Sequence, residues 1–434
     1  MLIERTIPFA PLSKKHRDYI LGGIRCRMSV AEGAIRSGKT IDHCIIAALY
    51  LESSQDKIHL ATGSTIGNAK LNIGVCNGFG LENLFRGRCK WGKFRDNDAL
   101  FIQTQTGEKI VVFAGGGKAD SYKRILGNSY GLWIATEINE HYDSVDSRTS
   151  FVKVAMGRQA AAIKPMTLWD LNPSRPNHTI YTNYIDKYRD EQLKGYQYQH
   201  FTLEDNLSID PERREAIKAQ YDQNSVWYRR DILGMRCTAE GLIYQSFADN
   251  PAAYALDTEQ TALPVLRYIL IGVDFGGNKS SHAFVASGIT KDWQLIGLRS
   301  QKLDAKGVDT DQLVDAIIRF ADKICIDYGF LDGLYCDSAE QTIINSIRNR
   351  CKYAVYNSIK NPIVDRIRAT ALLMATGRLK LVVGQCQSLE DALSSARWDD
   401  KEQDDVRLDD GTSDIDSLDA FEYSWEYYIR QLVE

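Results

Sequence analysis

The 434-residue sequence predicts two α/β domains in tandem, the first built on a parallel sheet and the second on a mixed one. Three observations lead there. A single core stops growing at about 250 to 300 residues, so a chain of this length is expected to divide. Residues 30–240 alternate short apolar strands with amphipathic helices, the pattern of a parallel sheet covered by helices on both faces. A strong strand at 267–275 then starts afresh behind a stretch, 248–264, that carries Asp249, Asn250, Pro251 and Pro264 and has no clear periodicity. The expected organisation is 1–250, a linker over 251–264, and 265–434.

Composition narrows the class of protein. With 44% hydrophobic and 25% charged residues the chain reads as folded and soluble. No apolar run approaches the ~20 residues of a membrane span. Glu4 and Arg5 stand where an export signal would be apolar, and nine cysteines include no Cys-x-x-Cys pair, so reduced thiols and a cytoplasmic location are expected. Charge is uneven: residues 1–250 carry 33 Lys+Arg against 28 Asp+Glu, and the remainder carries 20 against 29. The net charge of −4 is not that of a globally basic DNA-coating protein, so any DNA contact must come from local basic patches. A carboxylate metal site would use part of the acidic surplus.

In the first domain the strand candidates are 57–62, 109–113, 132–135 and 166–171. Gly33-Ala34-Ile35-Arg36-Ser37-Gly38-Lys39-Thr40 completes the phosphate-loop pattern, and an apolar helix, 41–51, follows it. Glycines let backbone N–H groups turn toward phosphates and the helix N-terminus adds positive potential. Lys39 would reach the β and γ oxygens of ATP, and the Thr40 hydroxyl would coordinate Mg²⁺. Hydrolysis further needs an acid at the tip of a neighbouring strand, and the strand 132–135 runs into Thr136-Glu137. Glu137 is the candidate for activating water, although a core strand ending in a solvated loop acid has the same pattern. Arg36 and Arg158 are candidates for stabilising charge on the γ-phosphate.

The loop with its internal arginine, Thr136-Glu137-Ile138-Asn139, and 171–178 (Leu-Asn-Pro-Ser-Arg-Pro-Asn-His) stand in the order of the loop, acid motif and coupling motif of the terminase large subunit family of tailed double-stranded DNA phages. Phe201-Thr202-Leu203-Glu204-Asp205-Asn206, the run 228–234 and Gly241-Leu242-Ile243-Tyr244 fit as well, so the resemblance spans about residues 25–430. It implies that Asn172 senses the γ-phosphate, whereas by itself Asn172-Pro173 reads equally as a turn after a strand. Thr136 departs from the family's Asp-Glu pair, which leaves the magnesium site one acid short.

The second domain carries its own carboxylates. Asp274 ends the strand at 267–275, Gly276-Gly277 and a strand over 282–288 complete an expected antiparallel hairpin, and Asp337 ends a strand at 331–336. Asp414, Asp416 and Asp419 open an expected helix, 415–429. Such a set can hold two Mg²⁺ or Mn²⁺ ions for phosphodiester cleavage, and the absence of histidine after His282 leaves oxygen ligands, which favour those ions over zinc. Singly, each aspartate reads as a cap or loop residue. Their order resembles the ribonuclease H-like nuclease domain of the same family, which implies Asp274, Asp337 and Asp419 as ligands, with Asp416 as a further one. Lys360, Arg366 and Arg368 fall near the presumed DNA path, where solvated helix faces are the usual occupants.

The resemblance implies an ATP-driven motor in the host cell cytoplasm that moves double-stranded DNA into a procapsid and cuts concatemers. It also implies a portal protein and a small terminase subunit as partners, and assembly as a ring on the portal. A phosphate-loop DNA translocase or helicase with structural carboxylates, or an assembly protein with a degenerate nucleotide site, remain alternatives.

Overall fold

The computed structural model describes residues 12–276, 281–399, 405–410 and 413–434. Glu4, Arg5 and Gly277 lie outside the described residues. The chain divides into two units, one running up to Glu215 and taking in Arg229–Thr238, the other made of Ala216–Tyr228 and Ala239–Glu434.

The first unit is built on strands β1 (Met28–Gly33), β2 (Ile58–Gly63), β3 (Cys89–Phe94), β4 (Asn97–Thr104), β5 (Gly107–Gly115), β6 (Leu132–Ala135), β7 (Met166–Leu171) and β8 (Tyr196–Phe201). They form one sheet in the order β3-β4-β5-β2-β6-β7-β1-β8. From β5 to β8 every pair is parallel, and an antiparallel hairpin of β3 and β4 extends the edge. Every residue of β1, β6 and β7 is buried, as a sheet covered on both faces requires. One face packs on helices α1 (Lys14–Gly23) and α2 (Lys39–Ser53) through Tyr19, Ile46, Leu51 and Phe201; the other gathers Trp133, Trp169, Phe151 and Tyr184.

The second unit has strands β9 (Ala255–Leu256), β10 (Leu266–Asp274), β11 (Ser281–Thr290), β12 (Leu295–Asp304), β13 (Gly333–Cys336), β14 (Val355–Asn357) and β15 (Leu379–Val382), in the order β14-β13-β10-β11-β12-β15-β9. β10, β11 and β12 form an antiparallel meander, and β13 and β14 run parallel to β10, which makes the sheet mixed, as expected. The helix Thr310–Tyr328 packs Leu313, Ile317, Phe320 and Ile324 into this core, and Asp309 and Gly329 cap its two ends.

Two expectations need correction. The stretch 251–264 is not a free linker: Ala255 and Leu256 pair with β15 and complete the second sheet. Backbone pairing draws these residues in although their side chains show no strand periodicity. The helix expected over 415–429 is broken, with Ile415–Trp425 followed by a 3₁₀ turn, Glu426–Tyr428, and a new helix, Ile429–Val433. Glu426 explains the break, since its buried carboxylate accepts the N–H groups of Ile359 (2.8 Å), Lys360 (2.9 Å) and Asn361 (3.0 Å).

Candidate functional site

Parallel strands place their carboxyl ends on one edge of a sheet, and ligands bind there. In the first unit the ends of β1, β6 and β7 deliver Gly33, Thr136-Glu137 and Asn172 to that edge. Gly33 has φ 153° and a Cβ on it would lie 1.8 Å from the Phe201 carbonyl oxygen, so only glycine lets the loop leave the sheet here. Arg36 and Gly38 take positive φ, 54° and 95°, and α2 begins at Lys39. The loop is held from outside: Ile35 N–H donates to the Asp231 carbonyl (2.8 Å) and the Asn206 amide donates to the Arg36 carbonyl (2.7 Å).

Lys39 is buried, and its Nζ donates to the Ala34 carbonyl (3.0 Å) and to Asn172 Oδ1 (2.8 Å). Burial lowers its pKa, against the pull of Asp170 and Glu137. Among the described residues the buried Ser37 hydroxyl has no hydrogen-bond partner, an orphan donor in the middle of the loop. Glu137 is half-buried and sits at φ 52°. The Arg36 side chain is exposed, and Arg158 ends the helix Phe151–Gly157, where its carbonyl accepts from Tyr130 N–H (3.0 Å). Below the loop, Glu32 is buried against Arg236 Nη2 (2.6 Å) and the hydroxyls of Tyr181 and Tyr198.

Sequence reasoning missed Asp170, on β7. It is buried, and its Oδ1 accepts from the Thr136 hydroxyl (3.1 Å) and from Glu137 N–H (3.3 Å). Burial pushes its pKa up to about 6, while Lys39, the Glu137 N–H and the hydroxyls of Thr136 and Thr40 pull the other way. The signal was present: an acid inside the run 166–171, apolar but for it and Thr167, two residues before Asn172 and so on the same face of the strand. Beside Gly38, a small cavity is lined by His16, Asp42, Phe79 and Asn206, and His16 Nδ1 lies 2.5 Å from Asp42 Oδ2.

In the second unit, parallel pairing of β10 with β13 sets Val273 beside Cys336 and thereby places Asp274 and Asp337 side by side at adjacent strand ends. The helix Ile415–Trp425 crosses β10 so closely that a Cβ on Gly272 would lie 1.8 Å from the Ala420 carbonyl oxygen. That approach brings Asp419 to the same end. Burial, and then Asp419, Asp337 and Asp416 in that order, raise the pKa of Asp274 well above the usual carboxylate range, the mark of mutually repelling acids.

Three of these four carboxylates, those of Asp337, Asp419 and Asp416, have present partners. Lys360 Nζ lies 2.5 Å from Asp337 Oδ1, and Asp419 Oδ1 accepts from both Arg366 and Arg407. The same two arginines bind buried Glu422. Asp416 Oδ2 accepts Ser281 N–H (2.8 Å), while Asp414 caps its helix by accepting from Ser417 N–H (3.1 Å). Among the described residues no three His, Cys, Asp or Glu side chains form a ready metal cage. The solvated face expected for Arg366 is wrong: it is buried in this ion cluster because Glu422, one helical turn beyond Asp419, needs a countercharge. Arg368 remains exposed, its guanidinium 5.8 Å from the Trp227 ring centre.

No protein-family model and no curated protein matches the chain. Among solved structures it is similar to the large terminase of a thermophilic bacteriophage, with 21% identity and a TM-score of 0.77 over 96% of this chain and 99% of that one. The same terminase in complex with ADP matches at 21% identity and TM-score 0.73 over 95% of this chain and 98% of that one. Its complex with ATP-γ-S matches at 20% and 0.72 over 95% and 99%. The chain therefore has the fold of a large terminase along nearly its whole length, in agreement with the resemblance of its motifs.

Proposed function

We propose that the chain is a phage DNA-packaging motor with a fused nuclease: ATP hydrolysis in the first unit drives double-stranded DNA into a procapsid, and the carboxylates of the second cut concatemeric DNA. One observation carries this reading. A single chain with the fold of a large terminase presents a phosphate loop around a buried lysine and, in its other unit, aspartates gathered at adjacent strand ends.

In the first unit the orphan Ser37 hydroxyl, the turned loop and the buried Lys39 fit a nucleotide triphosphate. Gly33, Arg36, Ser37, Gly38, Lys39 and Thr40 would hold it, Thr40 would share its Mg²⁺, and Asn172, now on Lys39, would exchange that contact for the γ-phosphate. The complexes of the thermophilic phage terminase with ADP and ATP-γ-S support ATP as the nucleotide. Glu137 would orient the attacking water, and Arg36 would meet the charge that develops on the transferred phosphoryl group.

In the second unit the all-oxygen donors Asp274, Asp337 and Asp419, with Asp416 beside them, suit Mg²⁺ or Mn²⁺ by their chemistry. Bound ions would activate water and stabilise the leaving oxygen. Lys360 must first yield Asp337, and Asp416 its hold on Ser281. Double-stranded DNA, a portal protein, a small terminase subunit and a ring of copies are the partners this reading implies, in the host cell cytoplasm. Among the described residues no helix is long and apolar enough to cross a membrane.

Supercoiled plasmid incubated with the purified chain tests the proposal. Cutting that requires Mg²⁺ or Mn²⁺ and is lost in Asp274→Asn is expected. No cutting with either ion, or cutting retained by the variant, would favour a DNA translocase whose carboxylates are structural.

A further inference from the structure

The nucleotide site as read from its motifs is one acid short, because position 136 holds threonine. The fold places β7 between β6 and β1, with Trp169 opposite Ala135 and Asp170 opposite Ala31. Asp170 is therefore the lateral neighbour of Thr136, one step past the last registered pair, and neighbouring side chains at that position share a face of the sheet. The contacts bear this out. Asp170 Oδ1 takes the Thr136 hydroxyl (3.1 Å) and the Glu137 N–H (3.3 Å), and the Thr40 hydroxyl is close enough to draw the pKa of the same carboxyl down. Thr40 is the loop residue whose hydroxyl faces the cation in this class of site.

The other oxygen is the informative one. Asp170 Oδ2 is buried and has no hydrogen-bond partner among the described residues. His43 Nδ1 stands 3.9 Å away, beyond hydrogen-bonding reach. A buried carboxylate oxygen without a donor is costly unless something binds it. We propose that Asp170 replaces the acid missing at position 136 and holds, directly or through water, the divalent cation shared by Thr40 and the nucleotide. Thr136 then serves as the clasp that aims Asp170, and the acid pair of the site is Asp170 with Glu137, drawn from two strands instead of one.

This rests on the nucleotide reading above, and the test separates the two. Binding of a fluorescent ADP analogue is measured with Mg²⁺ and with EDTA on wild type, Asp170→Asn and the double variant Thr136→Asp, Asp170→Asn. Wild type is expected to bind more tightly with Mg²⁺. Asp170→Asn keeps an acceptor for Thr136 and Glu137, so it should retain its EDTA affinity and lose most of the Mg²⁺ gain, about tenfold, for one metal-directed carboxylate. The double variant, with its carboxylate moved to position 136, should recover that gain. A full Mg²⁺ gain in Asp170→Asn would overturn the inference and leave Asp170 as a structural clasp. So would a folded double variant with no gain, which decides the question by itself if the single variant does not fold. Wild type that binds no nucleotide would overturn the nucleotide reading with it.

Discussion

The two candidate sites gather charge in opposite ways. In the first unit backbone does most of the holding: positive-φ loop residues and a helix start surround one lysine that already has neutral partners in Asn172 and the Ala34 carbonyl. In the second, side chains do it, and like charges stand together. Asp274 is pushed toward its neutral form by burial and by Asp419, Asp337 and Asp416, while Lys360, Arg366 and Arg407 occupy the carboxylates around it. A site made of backbone is fixed when the chain folds. A site made of clustered acids would, under the proposed function, be completed by a cation, and without one the repulsion among its carboxylates strains the unit that carries it.

The largest effects should divide cleanly between the units. Lys39→Ala should lower ATP turnover by roughly a hundredfold or more, the scale of losing one aimed charge in a reacting site, with plasmid cutting unchanged. Asp274→Asn should do the reverse. Steady-state phosphate release and plasmid nicking on both variants would break the comparison if either change silenced both activities.

Gly272→Ala tests the closeness that assembles the second site. The new methyl would meet the Ala420 carbonyl at 1.8 Å, so the helix must shift, at a cost of about 3 kcal/mol or more. Melting of the second unit should fall by several degrees, and cutting should fall with it because Asp419 moves. Unchanged melting would mean that the helix is not held by this contact.

Removing repulsion should have the opposite sign. Because the folded pKa of Asp274 is raised, the native state holds a proton that the unfolded chain releases near pH 4, so stability is lost as pH rises above that value. Asp274→Asn should therefore melt higher than wild type in EDTA, by ~1 kcal/mol or ~3 °C near pH 8, with the gap closing toward pH 4. A variant that melts lower would show that the carboxylate is not strained. Smallest of all, Lys360→Ala frees Asp337 from a half-buried ion pair and should reduce the Mn²⁺ needed for half-maximal cutting by about two- to threefold. An unchanged metal requirement would mean that Lys360 does not compete.

Local regularity made much of this legible. The strands expected at 132–135 and 166–171 match β6 and β7 residue for residue, since both are short, wholly buried and bounded by polar turns. The hairpin after Asp274 was equally plain. The expected linker was not, because β9 owes its place to pairing with β15 and not to its own side chains. Arg366, Arg407 and Glu422 were opaque for a related reason: a charge is read as solvated unless its partner is known, and these partners lie 12 to 56 positions away.

The sequence by itself determined the covalent motifs: the eight residues Gly33–Thr40, the position of Glu137 after a strand, and the order of Asp274, Asp337 and Asp419. These depend on residues near one another in the chain, where spacing and backbone preference act directly. Only the tertiary structure decided which acid stands beside Thr40, which cations sit on the aspartates, and how near a helix comes to β10. Each of those depends on which strands are neighbours, and strand order is set by long-range burial that no local pattern encodes.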